Sequence, residues 1–329
     1  MVIMANNIKI VAVGANMESQ RVLEVLFANN VKIEALFTTP IKKKSKGSDY
    51  HDLRQLCDDN SIAVFDITSI NSQASVNKLL EIKPDYIYVL GWSELLSDKV
   101  LDIPKHYVVG SHPSDLPYGA GRAPIPWTIL EDLSRSAVTL FEMKKTVDSG
   151  DIILKKYFKI PKYVTANKLY EIVSETLAAC FLQVHNQILN KNVVFKKQKT
   201  QNRFIRAKRI WQDGYIDFNK SVNEIERLIR AVTSPYPGAF TYYKGERVIV
   251  WSANLHGVSG YKGSPGQILK ISGENYLVQC GDFPMWLEDI EFGNKQNKEK
   301  PKLGNRFGIN FHNEILKLKT EIALIKGDD

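Results

Sequence analysis

The chain has 329 residues, 44% of them hydrophobic and 24% charged, with a formal net charge of +8. That is the composition of a soluble globular protein, long enough for one large domain plus a smaller one, each with its own core. No apolar run approaches the roughly 20 residues needed to cross a bilayer. The opening MVIMANNIKIVAVG lacks a basic n-region and a small-residue cleavage site, so no signal peptide is expected. Cys57, Cys180 and Cys280 are odd in number and far apart, which points to a reducing cytoplasm and to no CxxC pair for zinc or a redox disulfide.

In chain order, residues 8–14 (IKIVAVG) form a β-branched apolar run ending in glycine, and Val22, Leu23, Val25 and Leu26 follow as one buried helical face. Residues 31–37 read as a strand, 50–60 as a helix, 62–65 as a strand, 75–82 as a helix and 86–91 (YIYVLG) as a fourth buried strand. Strands alternating with helices imply a doubly wound, Rossmann-like, mostly parallel sheet with sites at the carboxyl ends of its strands. The first glycine turn, VGANMESQ, has neither a full GxGxxG nor a GK[ST], so no dinucleotide or ATP site is read from it. Lys42, Lys43, Lys44 and Lys46 precede Gly47-Ser48-Asp49 in a solvated loop, or in one that closes over a phosphate-bearing substrate.

A long helix over 165–190, with Thr165 as its N-cap, closes the first domain, and the basic, aperiodic stretch 191–209 is the linker. The boundaries expected are residues 1–200 and 201–329. In the second part a helix at 222–231 precedes short runs at 240–243, 248–251, 267–271, 276–279 and 285–287, separated by glycine turns. That pattern predicts a small β-barrel. The tail holds a further amphipathic segment, 315–325.

The chemistry concentrates between Gly110 and Ile152. His112 comes just after the apolar run Tyr107, Val108, Val109, and Asp148 lies in a VDSGD turn after a second run, 138–143. A His and an Asp delivered to one sheet edge are the raw material of proton transfer. The ordered set HPS-x-LP, GRAPIPW and VDSGD resembles the formyltransferases that use 10-formyltetrahydrofolate. So does the second half, through Asp217-Phe218, IERLIRA, PYPGAF, Val250-Trp251 and Cys280-Gly281-Asp282, which resembles that family's oligonucleotide-binding-like C-terminal domain. The likeness covers about residues 8 to 290.

The resemblance implies that His112 and Asp148 are catalytic, moving the proton that an attacking amine must lose and stabilising the oxyanion of the formyl group. The family carries asparagine two residues before the histidine, where this chain has Gly110; Ser111, an ordered water, the Gly110 backbone or protonated His112 is the candidate substitute. The resemblance further implies a folate pocket from Gly91, Trp92, Ser93, Glu94 and Leu96 on one side and Lys144, Lys145, Val147 and Asp148 on the other, with no metal. Arg122, Tyr118 and Tyr236 are candidate substrate contacts, Arg122 as a guanidinium fork for a diphosphate.

GRAPIPW, PYPGAF and Ser48-Asp49-Tyr50 look closest to the sugar N-formyltransferases. They imply transfer to the amine of a nucleotide-linked amino sugar, such as a 4-amino-4,6-dideoxyhexose, for surface polysaccharide (O-antigen) assembly, with no nucleic-acid partner and possible homodimerisation. The alternatives are a methionyl-tRNA formyltransferase, for which the positive charge suits tRNA, and a catalytically silent folate- or sugar-nucleotide-binding protein.

Overall fold

The computed structural model describes residues 8–42, 50–199, 201, 203–293, 299–309 and 311–326. The expectations for Lys43, Lys44, Lys46 and Gly47-Ser48-Asp49 lie outside the described residues. The chain divides into two compact units, Met1–Arg209 and Ile210–Asp329.

The first unit runs β1 (Ile10–Gly14), α1 (Met17–Ala28), β2 (Ala35–Thr38), α2 (Arg54–Asp59), β3 (Ala63–Asp66), α3 (Gln73–Ile82), β4 (Tyr86–Leu90), α4 (Asp98–Leu101) and β5 (Tyr107–His112). It continues with β6 (Ala120–Gly121), α5 (Pro124–Leu130), β7 (Arg135–Glu142), β8 (Ile152–Lys159), α6 (Ala166–Leu189) and β9 (Ile205–Arg206). Seven strands form one sheet in the order β3-β2-β1-β4-β5-β7-β8. β1 lies between β2 and β4 with parallel pairing on both sides and every residue buried, so its sequence is continuously apolar rather than alternating.

Side chains that alternate along the strands serve two cores. Val11, Val13, Phe37, Ile87 and Val89 pack with Val76 and Leu79 of α3 and Val100 of α4. Tyr88, one residue from both Ile87 and Val89, instead meets Phe181 of α6, with ring centroids 5.4 Å apart. Thr165 caps α6 as read, its side chain accepting from Lys168 N. Two pairings at one side of the sheet depart from parallel: β7 runs antiparallel to β5, and the edge strand β8 antiparallel to β7. For β8 the physical reason is the connection, since β7 returns to it through a short turn containing VDSGD, too short for a parallel crossover. The expected strand at 31–37 is confined to Ala35–Thr38, although Val31 and Ile33 are buried ahead of it.

The second unit contains α7 (Val222–Val232), β10 (Ala239–Tyr243), β11 (Glu246–Asn254), β12 (Ile268–Ser272), β13 (Asn275–Gln279), β14 (Pro284–Phe292) and α8 (Phe311–Lys326). Its five strands make an antiparallel sheet in the order β10-β11-β14-β13-β12. Ser221 and Glu224 close a capping box on α7. Asp282 adds a carboxylate oxygen 2.8 Å from Val222 N and 2.8 Å from Phe283 N, so the Cys280-Gly281-Asp282 turn joins β13 and β14 to the start of α7. Those backbone donors hold the Asp282 carboxyl below its usual range, against the opposing effect of burial.

Candidate active site

β1, β4 and β5 deliver their carboxyl ends, Gly14, Leu90 and His112, to one edge of the sheet. The first glycine turn is consumed in holding that edge together. Ser19 Oγ donates to Leu90 O at 2.6 Å and Asn16 Nδ2 to Gly91 O at 3.0 Å. Gly91 has φ +62°, and a side chain there would overlap the Asn16 amide.

His112 is the last residue of β5 rather than the first after it, and is buried. Its Nε2–H donates to the Gly119 carbonyl at 2.9 Å. Nδ1 faces Asp148 Oδ2 at 3.7 Å, and the same oxygen accepts from Gly121 N at 2.8 Å. The loop after β5 thus returns through Gly119–Gly121 to grip both members of the pair. Asp148 has φ +45°, a left-handed conformation that is costly for a residue with a Cβ and is typical of sites held in place by their surroundings.

What holds it is a strap that the sequence reading treats as linker. Gln198 Nε2 donates to Asp148 O at 2.9 Å and to Gly150 O at 2.7 Å. Arg203 donates to Val147 O. β9 pairs in parallel with β6, and Arg206 makes a bidentate bond to Glu131, with Nε to Oε1 at 3.0 Å and Nη2 to Oε2 at 2.8 Å. Gly150 closes the turn from the other side, where any Cβ would overlap the Glu142 carbonyl oxygen. Gln198, Arg203, Arg206 and Glu131 carry no local signal, since in sequence they are polar residues among many.

The remaining candidates separate. Gly110 and His112 share a face of β5, whereas Ser111 points the other way, its hydroxyl 3.4 Å from Val89 O. The alternation of the strand therefore turns Ser111 away from the position it was expected to fill. Arg122 Nη1 donates to Ser93 O at 3.3 Å, bridging the loop after β5 and the Gly91–Leu96 segment. Glu94 accepts from Ile70 N and Asn71 Nδ2, both at 2.9 Å, and so anchors a neighbouring loop. Leu96 is buried in the core beside α3 and α4, and Trp92 packs against the same core. The Trp92 indole N–H is buried with no acceptor among the described residues.

Lys144 and Lys145 pair with Glu142 at 2.5 Å and Asp98 at 2.7 Å. With Met143 they line a half-open cavity of about 390 Å³ beside Tyr107 and Asp98. Tyr118 donates to Glu131 Oε2 at 3.0 Å and stacks on Phe204, with centroids 5.3 Å apart, so it buttresses the strap. Tyr236 belongs to the second unit. No group of three His, Cys, Asp or Glu side chains is placed to hold a metal among the described residues, and no described helix is long and apolar enough to cross a membrane. Burial pushes the Cys57 and Cys180 thiols up to about 11 and Cys280 to about 12, which makes all three poor nucleophiles.

The formyl transferase family matches residues 6–184, and its "Formyl transferase, C-terminal domain" matches residues 210–307. The chain belongs to the formyl transferase family. A methionyl-tRNA formyltransferase from Acetivibrio thermocellus is 27% identical over 276 residues, 82% of this chain and 87% of that protein. Further relatives of the same name are 26–29% identical over 80–88% of this chain.

Two solved structures share the fold. HypX from Aquifex aeolicus, in complex with tetrahydrofolic acid, has a TM-score of 0.64 at 18% identity; the match covers 87% of this chain but only 44% of HypX. An N-formyltransferase from Helicobacter canadensis, in complex with folinic acid and dTDP-3-aminofucose, has a TM-score of 0.63 at 21% identity, covering 85% of this chain and 98% of that one.

These findings overturn the assignment to the sugar N-formyltransferases and, with it, the exclusion of a nucleic-acid partner. The relatives by sequence are methionyl-tRNA formyltransferases, and the sugar enzymes match in structure alone. The motifs that suggested a sugar serve the fold instead. In GRAPIPW, Pro124 opens α5, and the Trp127 indole donates to Ala207 O at 2.9 Å. In PYPGAF, Phe240 is buried, and Gly238 (φ +82°) leaves room that a Cβ would take from Ile249.

Proposed function

We propose that the chain is a methionyl-tRNA formyltransferase, transferring a formyl group from 10-formyltetrahydrofolate to the amine of methionyl-tRNA in the cytoplasm. The observation that carries this reading is the run of relatives of that name across 80–88% of the chain. The His112–Asp148 pair supplies the chemistry. The folate donates the formyl group when bound; the amine nitrogen forms the new bond to the formyl carbon as the bond to the folate nitrogen breaks.

Asp148 accepts the proton the amine loses and shares it with His112 Nδ1, 3.7 Å away. The resulting imidazolium faces the carboxylate, and the pair returns the proton to the folate nitrogen. His112 Nε2–H, which donates to Gly119 O, is the donor that the formyl oxyanion takes over. Two features bear on a folate: the Trp92 N–H is a buried donor with no acceptor among the described residues, and Lys144 and Lys145, each paired with a carboxylate, line the cavity beside Tyr107 and would have to exchange those partners to meet an acidic tail. The antiparallel sheet of the second unit is consistent with an oligonucleotide-binding-like barrel gripping the tRNA.

The test is formyl transfer followed by mass spectrometry, with 10-formyltetrahydrofolate and, in separate reactions, methionyl-tRNA, free methionine and nucleotide-linked amino sugars. Product is expected on methionyl-tRNA alone, and is expected to be lost in His112→Ala and Asp148→Asn. Folate binding without transfer to any amine would overturn the enzymatic reading, and product on a sugar would overturn the substrate.

A further inference from the structure

The family match ends at residue 307, and α8 lies beyond it. With Ile315 at position a of a heptad, Leu318 falls at d, Ile322 at a and Ile325 at d. These four side chains are 52, 53, 50 and 85% exposed, a stripe of large apolar groups facing solvent. Spacings of three and four residues make this a narrow seam, of the kind that fits a second helix better than the broad face of a helix lying on a core.

Charges flank the seam with opposite signs on its two sides: Lys319 at e and Glu321 at g. The sequence repeats the pair, with Glu314 at g and Lys326 at e. In a parallel pair of helices, each g position faces the e position of the following heptad in the other helix. In the sequence register both g positions are then glutamate and the e positions facing them lysine. An antiparallel pair would set e against e and g against g, lysine on lysine and glutamate on glutamate. Ile315 at a with Leu318 at d is the combination that favours two strands, and Ile325 at the second d is the one departure from it.

We propose that α8 forms a parallel two-stranded coiled coil with α8 of a second copy of this chain, making the protein a homodimer through this helix. Leu316 and Leu324 fall at b and c, outside the seam, and stay exposed in the dimer.

Sedimentation velocity on the full chain, at loadings from about 1 to 100 µM, resolves a weak short-helix dimer of this kind. A species of twice the single-chain mass is expected to grow with concentration. Ile322→Glu should leave a monomer with an unchanged thermal melt, whereas Leu324→Ser should dimerise as the parent does. Glu321→Lys should weaken the dimer roughly tenfold, and Glu321→Lys with Lys326→Glu should restore it. A monomer at every loading, a dimer that survives Ile322→Glu, or a charge swap that fails to restore pairing would overturn the proposal. So would a monomer that binds anionic vesicles through the same stripe, which would assign it to a membrane surface.

Discussion

Met143 occupies the space beside Gly110. A Cβ built on Gly110 would overlap Met143 Cγ and lie 2.9 Å from its Sδ, with the Phe141 ring 3.4 Å away. The position where the family carries an asparagine is therefore filled by a neighbour's thioether, so a single reversion meets a crowded site. Because Met143 is flexible and partly buried, removing its end should make room. Gly110→Asn alone is expected to lower kcat, since the backbone of β5 must shift by tenths of an ångström where alignment matters most. Gly110→Asn with Met143→Ala should recover at least about tenfold over that single variant, as an amide donor returns to the oxyanion. Comparison of kcat across the four variants checks this. A single Gly110→Asn as fast as the parent would show that Met143 yields without cost, and that crowding is not what excludes the asparagine.

At the scale of elements, the strap after α6 is hydrogen-bonded to the turn that carries Asp148. Arg206 is 3% exposed and bonds both oxygens of Glu131, with one guanidinium nitrogen, Nη1, buried and unpartnered among the described residues. Removing Glu131 leaves the buried Arg206 charge alone, which costs about 3–5 kcal/mol, whereas replacing both with apolar groups costs far less. Glu131→Leu is thus expected to lower stability and kcat together, and Glu131→Leu with Arg206→Met to recover most of the stability. Denaturant unfolding of the double-mutant cycle measures this; additive losses would show that the pair is not a unit. The same strap marks the limit of what the sequence could reveal. His112 and Asp148 were legible because each sits in a local motif ending an apolar run. Gln198, Arg203 and Arg206 were not, because their role depends on a chain return from the far end of α6 that no local pattern encodes. The edge strand β8 was missed for a related reason: IILKKYFK alternates too weakly to stand out, and only its pairing with β7 orders it.

For the whole molecule, the alternation of buried strands and helices made the α/β architecture readable, while the acceptor was not, because GRAPIPW and PYPGAF each also make contacts that serve their own unit's fold. Stability carries a further signature in α6, the helix on which the first unit closes. His185 is 7% exposed, and its Nδ1 lies 3.3 Å from the Tyr88 hydroxyl. Burial pushes the Tyr88 hydroxyl above its usual range, keeping it protonated and able to donate to the neutral imidazole. Burial likewise lowers the His185 pKa below its usual 6.5. The folded state therefore resists a proton that the unfolded state accepts. As pH falls through about 6.5, the unfolded chain gains that proton first and stability drops, by up to about 1.4 kcal/mol per pH unit, until the folded-state pKa is reached. Above about pH 7 the group contributes no slope. His185→Gln keeps an acceptor for Tyr88 and removes the titration. Unfolding free energies of the parent should fall between about pH 7 and 5.5, while those of His185→Gln stay nearly flat over that window, which lies above the range where carboxylates titrate. Equal slopes in the two proteins would place the acid sensitivity elsewhere in the fold.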